Sequence, residues 1–466
     1  MRSYFDLIRQ YGNSDLLPMH MPGHKRKAGF LGGFGRCDVT ETVGTEDLHH
    51  PGAFLREAMA EAAALRGSDE TYFLVNGSTA GILSAVTAAA DPGDSLLLAR
   101  NCHKSALNAV TVHRLNPVWI VPGKISPLRV DGGVDPADVE AALTKDASIK
   151  AALIVSPTYE GVVSDVAAIA EIVHRHNIPL IVDAAHGAHF PFSDGFPADP
   201  LRCGADIVIE SLHKTLPSLT QTAALHLRGS MIPRDRLRFA LQAFQSSSPS
   251  HLLLASAVEC FRIMENDGAR QTERFLRSLT ELRNAVKGLG ECVLLDKDST
   301  AMTAYDTSKI VLGFRGYSGS ALHQALRRNF RVEIEMSAPG YIVAMTTLYD
   351  SDEDLFRFGS ALKKLRRALP FRGERAFPAV TAELPEKVML PAEALIRKKE
   401  TVPLKEAEGR IAGETIYLYP PGSPLAAAGE RIGPELISVI RRCEERGFTV
   451  RGAEKGRLSV LRDERA

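Results

Sequence analysis

A lysine a few residues past the end of a short buried-type run is the residue in this sequence with most chemistry within reach. Lys214 stands in Ser211-Leu-His-Lys214, after Ala205-Asp-Ile-Val-Ile-Glu210. Taking an ammonium out of water is costly unless its pKa falls or it becomes an imine. A lysine at such a strand end therefore suits covalent capture of a carbonyl. Taken alone, a surface lysine on a loop is the commoner outcome; neighbouring motifs change that balance.

Asp183 opens Asp183-Ala-Ala-His186-Gly-Ala-His189, again directly after an apolar run. A buried carboxylate needs a partner, and a protonated ring nitrogen is one that also keeps the ring able to accept electrons. The plainer alternative is a helix N-cap. Ala185 is small enough for a flat ring to lie against the backbone, though alanine is common in any core. Gly77-Ser78-Thr79 opens an Ala-rich run from Ala80 to Ala90. A permissive glycine, two hydroxyls and free amides at a positive helix end can make a phosphate cradle, although Ser or Thr at a helix start is by itself usually just a cap. Ser211 can add a hydroxyl. His103 sits at the end of another apolar run, placed to stack on a ring or to act as an ordinary hydrogen-bonded histidine.

These residues need a scaffold that sets them at the ends of strands. From about Leu74 to His226, short apolar runs alternate with helical patterns: Ser95–Arg100, Pro117–Val121, Ala151–Val155, Pro179–Asp183, Ala205–Glu210 and Thr222–His226. Continuous rather than alternating runs suit strands buried on both faces, so the reading is an α/β domain with a mainly parallel sheet. Ligands of open α/β sheets sit at the carboxyl ends of the strands, where these polar residues fall. A helical stretch from Ser248 to Leu289 leads to a small α+β subdomain: a strand over Ser308–Phe314, a helix over Ser318–Arg328, and strands over Phe330–Met336 and Tyr341–Thr347. A Pro-, Arg- and Glu-rich stretch from Pro370 to about Val388 reads as a linker to a third, small domain. The expected division is 1–50 as an amino-terminal segment contributing to a dimer and its active site, 51–295 as the large domain, 296–370 as the small subdomain, and 371–466 as linker and carboxy-terminal domain.

Composition narrows the classes. The 466 residues are enough for two or three domains. Lys plus Arg and Asp plus Glu are 56 each, so no global field draws the chain to nucleic acid or to an anionic membrane. Six cysteines are scattered without Cys-x-x-Cys or zinc spacing, which fits a reducing compartment and no metal. No run approaches a membrane span, and residues 1–10 lack the pattern of a secretory signal. A cytoplasmic location is expected.

The ordered set Val75-Asn-Gly-Ser-Thr79, Asn101-Cys-His103-Lys104-Ser105, Ser156-Pro-Thr-Tyr-Glu-Gly161, Asp183-Ala-Ala-His186-Gly-Ala-His189 and Glu210-Ser-Leu-His-Lys214-Thr-Leu-Pro resembles the ornithine/lysine/arginine decarboxylase family. Met21-Pro-Gly-His-Lys25, Gly44-Thr-Glu-Asp-Leu48 and Tyr419-Pro-Pro-Gly422 match it too, so the resemblance covers almost the whole chain. It implies the fold type I architecture of pyridoxal-phosphate (PLP) enzymes and PLP as cofactor. It makes Lys214 the Schiff-base lysine, Asp183 the partner of the pyridine nitrogen and His103 the residue stacked on the ring. Ser78, Thr79 and Ser211 would hold the phosphate, Thr158 and His186 would lie near the phenolic oxygen, and His213 is a candidate proton donor beside Lys214. The chain starts almost directly with the PLP-domain motifs, without the receiver-like domain of large family members, so a homodimer or tetramer with a shared site is expected rather than a decamer.

The implied reaction removes carbon dioxide from a basic amino acid and feeds polyamine metabolism. Glu46, Asp47 and Glu160 are candidates for the distal cation of arginine, lysine or ornithine, with solvated charge as the plainer reading. Arginine is the first choice, because short members of this family are often described as arginine decarboxylases. An aminotransferase or aldolase on the same fold, and a PLP-free regulatory protein, are the rival readings.

Overall fold

Apolar runs without a polar break are stable as strands where both faces are covered, and Ser95–Ala99, Leu180–Asp183, Ile207–Glu210 and Ala223–Leu227 are buried throughout, while the run from Pro117 is only partly covered, with Val121 52% exposed. The structure is a computed structural model that describes residues 3–14, 24–25, 35–298, 302–370, 383–419, 423–445, 449–454 and 456–462. Met21–Gly23, residues 371–382 of the expected linker and residues 420–422 lie outside the described residues. The chain divides into two compact units, Met1–Ala89 with Pro179–Arg274, and Ala90–Ile178 with Phe275–Ala466.

In the first unit the strands run in the order Glu70–Leu74, Ala223–Leu227, Ile207–Glu210, Leu180–Asp183. Leu180–Asp183 and Ile207–Glu210 are parallel. Ala223–Leu227 is antiparallel to both of its neighbours. The reason lies in the connection: the segment between Glu210 and Ala223 is spent on the one-turn helix Leu212–Thr215 and leaves no full crossover helix, which a parallel return needs. Helix Gly77–Ala89 packs on these strands. Gly81 permits the approach, since a Cβ there would stand 2.7 Å from Leu74 Cδ1 and 2.9 Å from Ile209 Cγ2.

In the second unit Ile149–Val155, Ser95–Ala99 and Asn116–Ile120 form a wholly parallel ladder, as expected of runs separated by helices such as Lys104–Val112 and Pro136–Lys145. An antiparallel sheet in the order Cys292–Leu294, Lys309–Phe314, Ile342–Met345, Met336–Ser337 carries helices Gly319–Phe330 and Asp352–Ala368. The strand expected over Phe330–Met336 is reduced to Met336–Ser337. The helix runs on to Phe330 and ends at Arg331, whose left-handed backbone (φ 56°) turns the chain before pairing can begin. Beyond residue 383, short sheets surround helix Pro434–Glu445, which buries Leu436, Ile437, Val439, Ile440 and Cys443 in a core of their own. Among the described residues no helix is long and apolar enough to cross a membrane.

Candidate active site

Two parallel strands of the first unit end in chemistry. Asp183 is the last residue of Leu180–Asp183 and is 3% exposed. Its Oδ1 accepts from Ala185 N–H at 3.1 Å. Burial pushes the carboxyl above its ordinary pKa, and the positive charge of Lys214 opposes that push. Lys214 lies in the turn after Ile207–Glu210, with Nζ 3.1 Å from Nε2 of the buried His186. An ammonium has donors only, so Nε2 of His186 is the acceptor.

The turn that carries the lysine is anchored at its start. Ser211 occupies the N-cap position of Leu212–Thr215 but makes no side-chain cap bond. Its Oγ instead donates to Ser78 Oγ at 3.0 Å. Ser78 and Thr79 follow Gly77 in the first turn of the helix Gly77–Ala89. Gly77 has φ +74°, where a side chain would be strained, and a Cβ there would find only Gln221 O, at 3.8 Å. Ser78 is half-buried, Thr79 is exposed and Ser211 is fully buried. The result is a helix amino terminus with hydroxyls gathered from two elements.

His213, next to the lysine, is committed differently. A carbonyl only accepts, so Nδ1 of His213 donates to Thr222 O at 2.8 Å, and Nε2 keeps its lone pair. Burial first, and then the charge of Lys214, hold its pKa below the usual value, so its neutral form is favoured.

The other expected site residues are held in different ways. Asp47 accepts from the backbone N–H groups of His49 and His50, at 2.7 and 3.2 Å, and sits below the usual carboxylate range: those bonds and the charge of His50 outweigh its partial burial. Glu46 is 9% exposed, and its Oε2 is buried without a hydrogen-bond partner among the described residues. In the second unit, His103 is exposed and caps helix Lys104–Val112, its Nδ1 accepting from Ser105 N–H at 3.3 Å and meeting Ser105 Oγ at 2.8 Å. Thr158 is buried, and its Oγ1 accepts from Val162 N–H at 3.1 Å. Glu160 accepts from Tyr341 Oη at 2.7 Å. Burial and the charge of Asp131 push its carboxyl up to about 7, against the pull of Tyr341 and Lys124.

Two supports of the cradle carry no local signal in the sequence. Gln245 accepts from Val75 N–H at 2.9 Å and Gln221 donates to Val75 O, so both polar groups of the backbone just ahead of Gly77 are gripped from 146 and 170 residues away. Arg66 is wholly buried at the end of helix Ala53–Arg66. It donates to Asp199 at 2.9 and 3.2 Å and to Glu210 at 2.5 Å, and Glu210 meets His226 at 3.2 Å. Glu210 immediately precedes Ser211.

A phosphate-bearing aromatic aldehyde needs an amine, an anion for its ring nitrogen and a nest of donors for its phosphate. The first unit supplies all three: Lys214, the buried Asp183, and the hydroxyls and free amides at Gly77–Thr79 with Ser211. Burial of Asp183 with a single backbone donor to Oδ1 leaves that carboxylate suited to a cationic partner.

Comparison with known proteins identifies the family. The family model described as Orn/Lys/Arg decarboxylase, major domain, matches residues 4–312, and the one described as Orn/Lys/Arg decarboxylase, C-terminal domain, matches residues 374–447. An arginine decarboxylase of Bacillus subtilis (strain 168) is 31% identical over 473 residues, covering 98% of this chain and 96% of that protein. The crystal structure of the lysine decarboxylase LdcF of Francisella novicida superposes with a TM-score of 0.83 at 18% identity, covering 99% of this chain and 81% of that one. The ureidoglycine-glyoxylate aminotransferase of Bacillus subtilis shares the fold more distantly, with a TM-score of 0.55 at 17% identity over 69% of this chain and 87% of that one.

Proposed function

The chain belongs to the Orn/Lys/Arg decarboxylase family, and from that premise we propose that its substrate is L-arginine and that Lys214 is the residue that carries the cofactor. The protein is a PLP-dependent decarboxylase of a basic amino acid on the α/β fold of type I PLP enzymes. The observation that carries the assignment of Lys214 is its placement 3.1 Å from His186 in the unit that buries Asp183.

When bound, PLP supplies an electron sink for the bond between Cα and the leaving carboxylate. Asp183, buried and accepting one backbone bond among the described residues, would hold a proton on the pyridine nitrogen. Ser78, Thr79, Ser211 and the free amides after Gly77 bind the phosphate, with the helix terminus adding its positive end. By the family resemblance, Ala185 would leave room for the ring, His103 would stack on it, and Thr158 and His186 would serve its phenolic oxygen. Lys214, one of the two candidate donors, would deliver the proton to Cα. His213 has its Nδ1 proton committed to Thr222 and is favoured in the neutral form, so we assign it to holding the lysine turn rather than to proton delivery. Of the three carboxylates considered for the distal cation, Glu46 alone has a buried oxygen without a partner among the described residues, and we assign it that role.

Arginine is favoured by the identity and near-complete coverage of the arginine decarboxylase relative. The product amine would enter polyamine metabolism. We place the enzyme in the cytoplasm, in keeping with six scattered cysteines that form no Cys-x-x-Cys pair. We keep the domain division 1–50, 51–295, 296–370 and 371–466, and a homodimer or tetramer with shared sites, as part of the same proposal. The test is product analysis with arginine, lysine and ornithine as sole substrates. The amine of arginine should form fastest; a preference for lysine or ornithine overturns the substrate, and accumulation of a 2-oxo acid overturns the reaction.

A further inference from the structure

The carboxy-terminal part of the chain grips the turn that carries His103 from two sides. Strand Ser95–Ala99 leads into Arg100, whose backbone N–H donates to Ile120 O at 2.7 Å, extending the ladder by one residue. The Arg100 guanidinium lies 4.4 Å from the ring centroid of Trp119. It forks onto Glu430, with Nη1 donating to Oε1 at 2.8 Å and Nη2 to Oε2 at 2.7 Å, and Nη2 also reaches Leu425 O at 3.1 Å. Arg100 is 9% exposed and Glu430 is 1% exposed. Glu430 Oε2 accepts further from Ala427 N–H at 2.8 Å, which fixes the carboxylate before the arginine meets it.

The other side of the turn is held as well. Helix Lys104–Val112, which His103 caps, packs against helix Pro391–Ile396. Lys387 donates to Pro117 O at 3.1 Å and to Asn116 Oδ1, at the start of the strand that carries Trp119. Between the two grips lies Asn101, whose Oδ1 is buried without a hydrogen-bond partner among the described residues. A buried acceptor left unpaired disfavours the conformation that buries it, so this turn needs an outside restraint. A buried fork of arginine on carboxylate adds little net stability over apolar packing, but it is directional and fixes register.

We propose that the carboxy-terminal region is a positioning element for His103, acting through the Arg100–Glu430 fork. Arg100 and Glu430 are positioning residues; they set the turn from Arg100 to His103 so that the exposed imidazole is presented in one orientation. The inference rests on the reading that His103 lies against the cofactor.

Trp119 is the only tryptophan of the chain, so its emission reports the fork directly. The test uses full-length holoenzyme carrying Glu430→Gln, with Arg100→Lys in parallel, which keeps the charge and loses the fork. Each should shift Trp119 emission, lower kcat and speed loss of the visible cofactor absorption on dilution by about tenfold to 100-fold, the scale of a displaced active-site group. In a His103→Ala background, which by itself speeds cofactor loss, Glu430→Gln should add nothing. A shifted Trp119 emission with unchanged cofactor loss and kcat overturns the proposal, as does a Glu430→Gln effect that multiplies with that of His103→Ala. A His103→Ala enzyme that keeps its cofactor as wild type does would refute the placement of His103 itself and the inference with it.

Discussion

Ser211 and Ser78 meet at 3.0 Å although 133 positions separate them, and the bond ties the lysine turn to the amino terminus of the helix Gly77–Ala89. A hydroxyl at an N-cap normally serves its own helix. Ser211 leaves that position unserved and turns to Ser78, which is what a shared phosphate nest requires. Ser211→Ala and Ser78→Ala should each weaken PLP binding by about 10- to 100-fold, the scale of a hydrogen bond to a charged group. Equilibrium dialysis measures it, and inorganic phosphate should compete less well with PLP in both variants. Unaltered affinity in either variant removes that serine from the cradle.

Lys214→Ala should abolish turnover and the visible absorption of the bound cofactor while leaving the fold intact. Lys214 is half-buried and its amine faces His186, so its loss opens no apolar cavity. Far-ultraviolet circular dichroism should match wild type. A variant that retained both the visible band and activity would falsify the assignment.

Glu160 sets a pH dependence of stability. Its folded pKa, about 7, stands above the ordinary carboxyl value of 4.5, so the folded state binds the proton more tightly than the unfolded chain does. Its contribution is therefore complete below about pH 4.5 and is lost as pH rises through 7. The total is on the order of 3 kcal/mol. Glu160→Gln keeps an acceptor for Tyr341 and should flatten this part of the profile, gaining stability relative to wild type above pH 7. Urea midpoints at pH 5 and pH 8 give the comparison; parallel profiles for the two proteins would count against it.

Arg66 is the cation among Asp199, Glu210 and His226. Burial alone would raise the Glu210 carboxyl, yet Arg66 and His226 hold it below its ordinary value. Arg66→Ala leaves two carboxylates buried without that cation and should cost about 3–5 kcal/mol of stability. Chemical denaturation measures the loss. Replacing Glu210 by Gln as well should recover part of it, because one stranded charge is gone; a double variant no more stable than Arg66→Ala would show that the pair does not act as a unit.

The strands around the site were legible because a continuous apolar run such as Ala151–Val155 is stable only when covered on both faces. Lys214, Asp183 and Gly77 were legible for a related reason: each puts a costly or permissive residue type at the end of such a run. The antiparallel direction of Ala223–Leu227 was not, since it depends on how the connection from Glu210 is spent. The long-range partners were also out of reach. Gln245 on Val75, Arg66 on Glu210 and Glu430 on Arg100 join residues 170, 144 and 330 positions apart, and no local pattern marks either end. The strand expected from Phe330 starts late because the helix runs on to Phe330 and the left-handed Arg331 then turns the chain, so that pairing begins only at Met336.

The segment Gly44–Leu48 gives the last prediction. Thr45 Oγ1 accepts from Thr42 N–H at 2.7 Å and lies 2.7 Å from Thr40 O, forming a tight turn on which Val43 is 98% exposed. An apolar side chain held that far into solvent by its own backbone suits contact with a second copy. Glu46, three residues on, carries the buried oxygen assigned to the substrate cation. If this segment completes the site of a neighbouring protomer, a Lys214→Ala protein and a Glu46→Gln protein, each inactive alone, should complement each other when mixed. Random exchange makes half of the dimers mixed, and each mixed dimer regains one of its two sites, so activity should return to about a quarter of wild type. Subunit exchange is confirmed first with two differently labelled wild-type preparations. Exchange without recovery would place Glu46 and Lys214 of one chain in the same site and end the shared-site proposal.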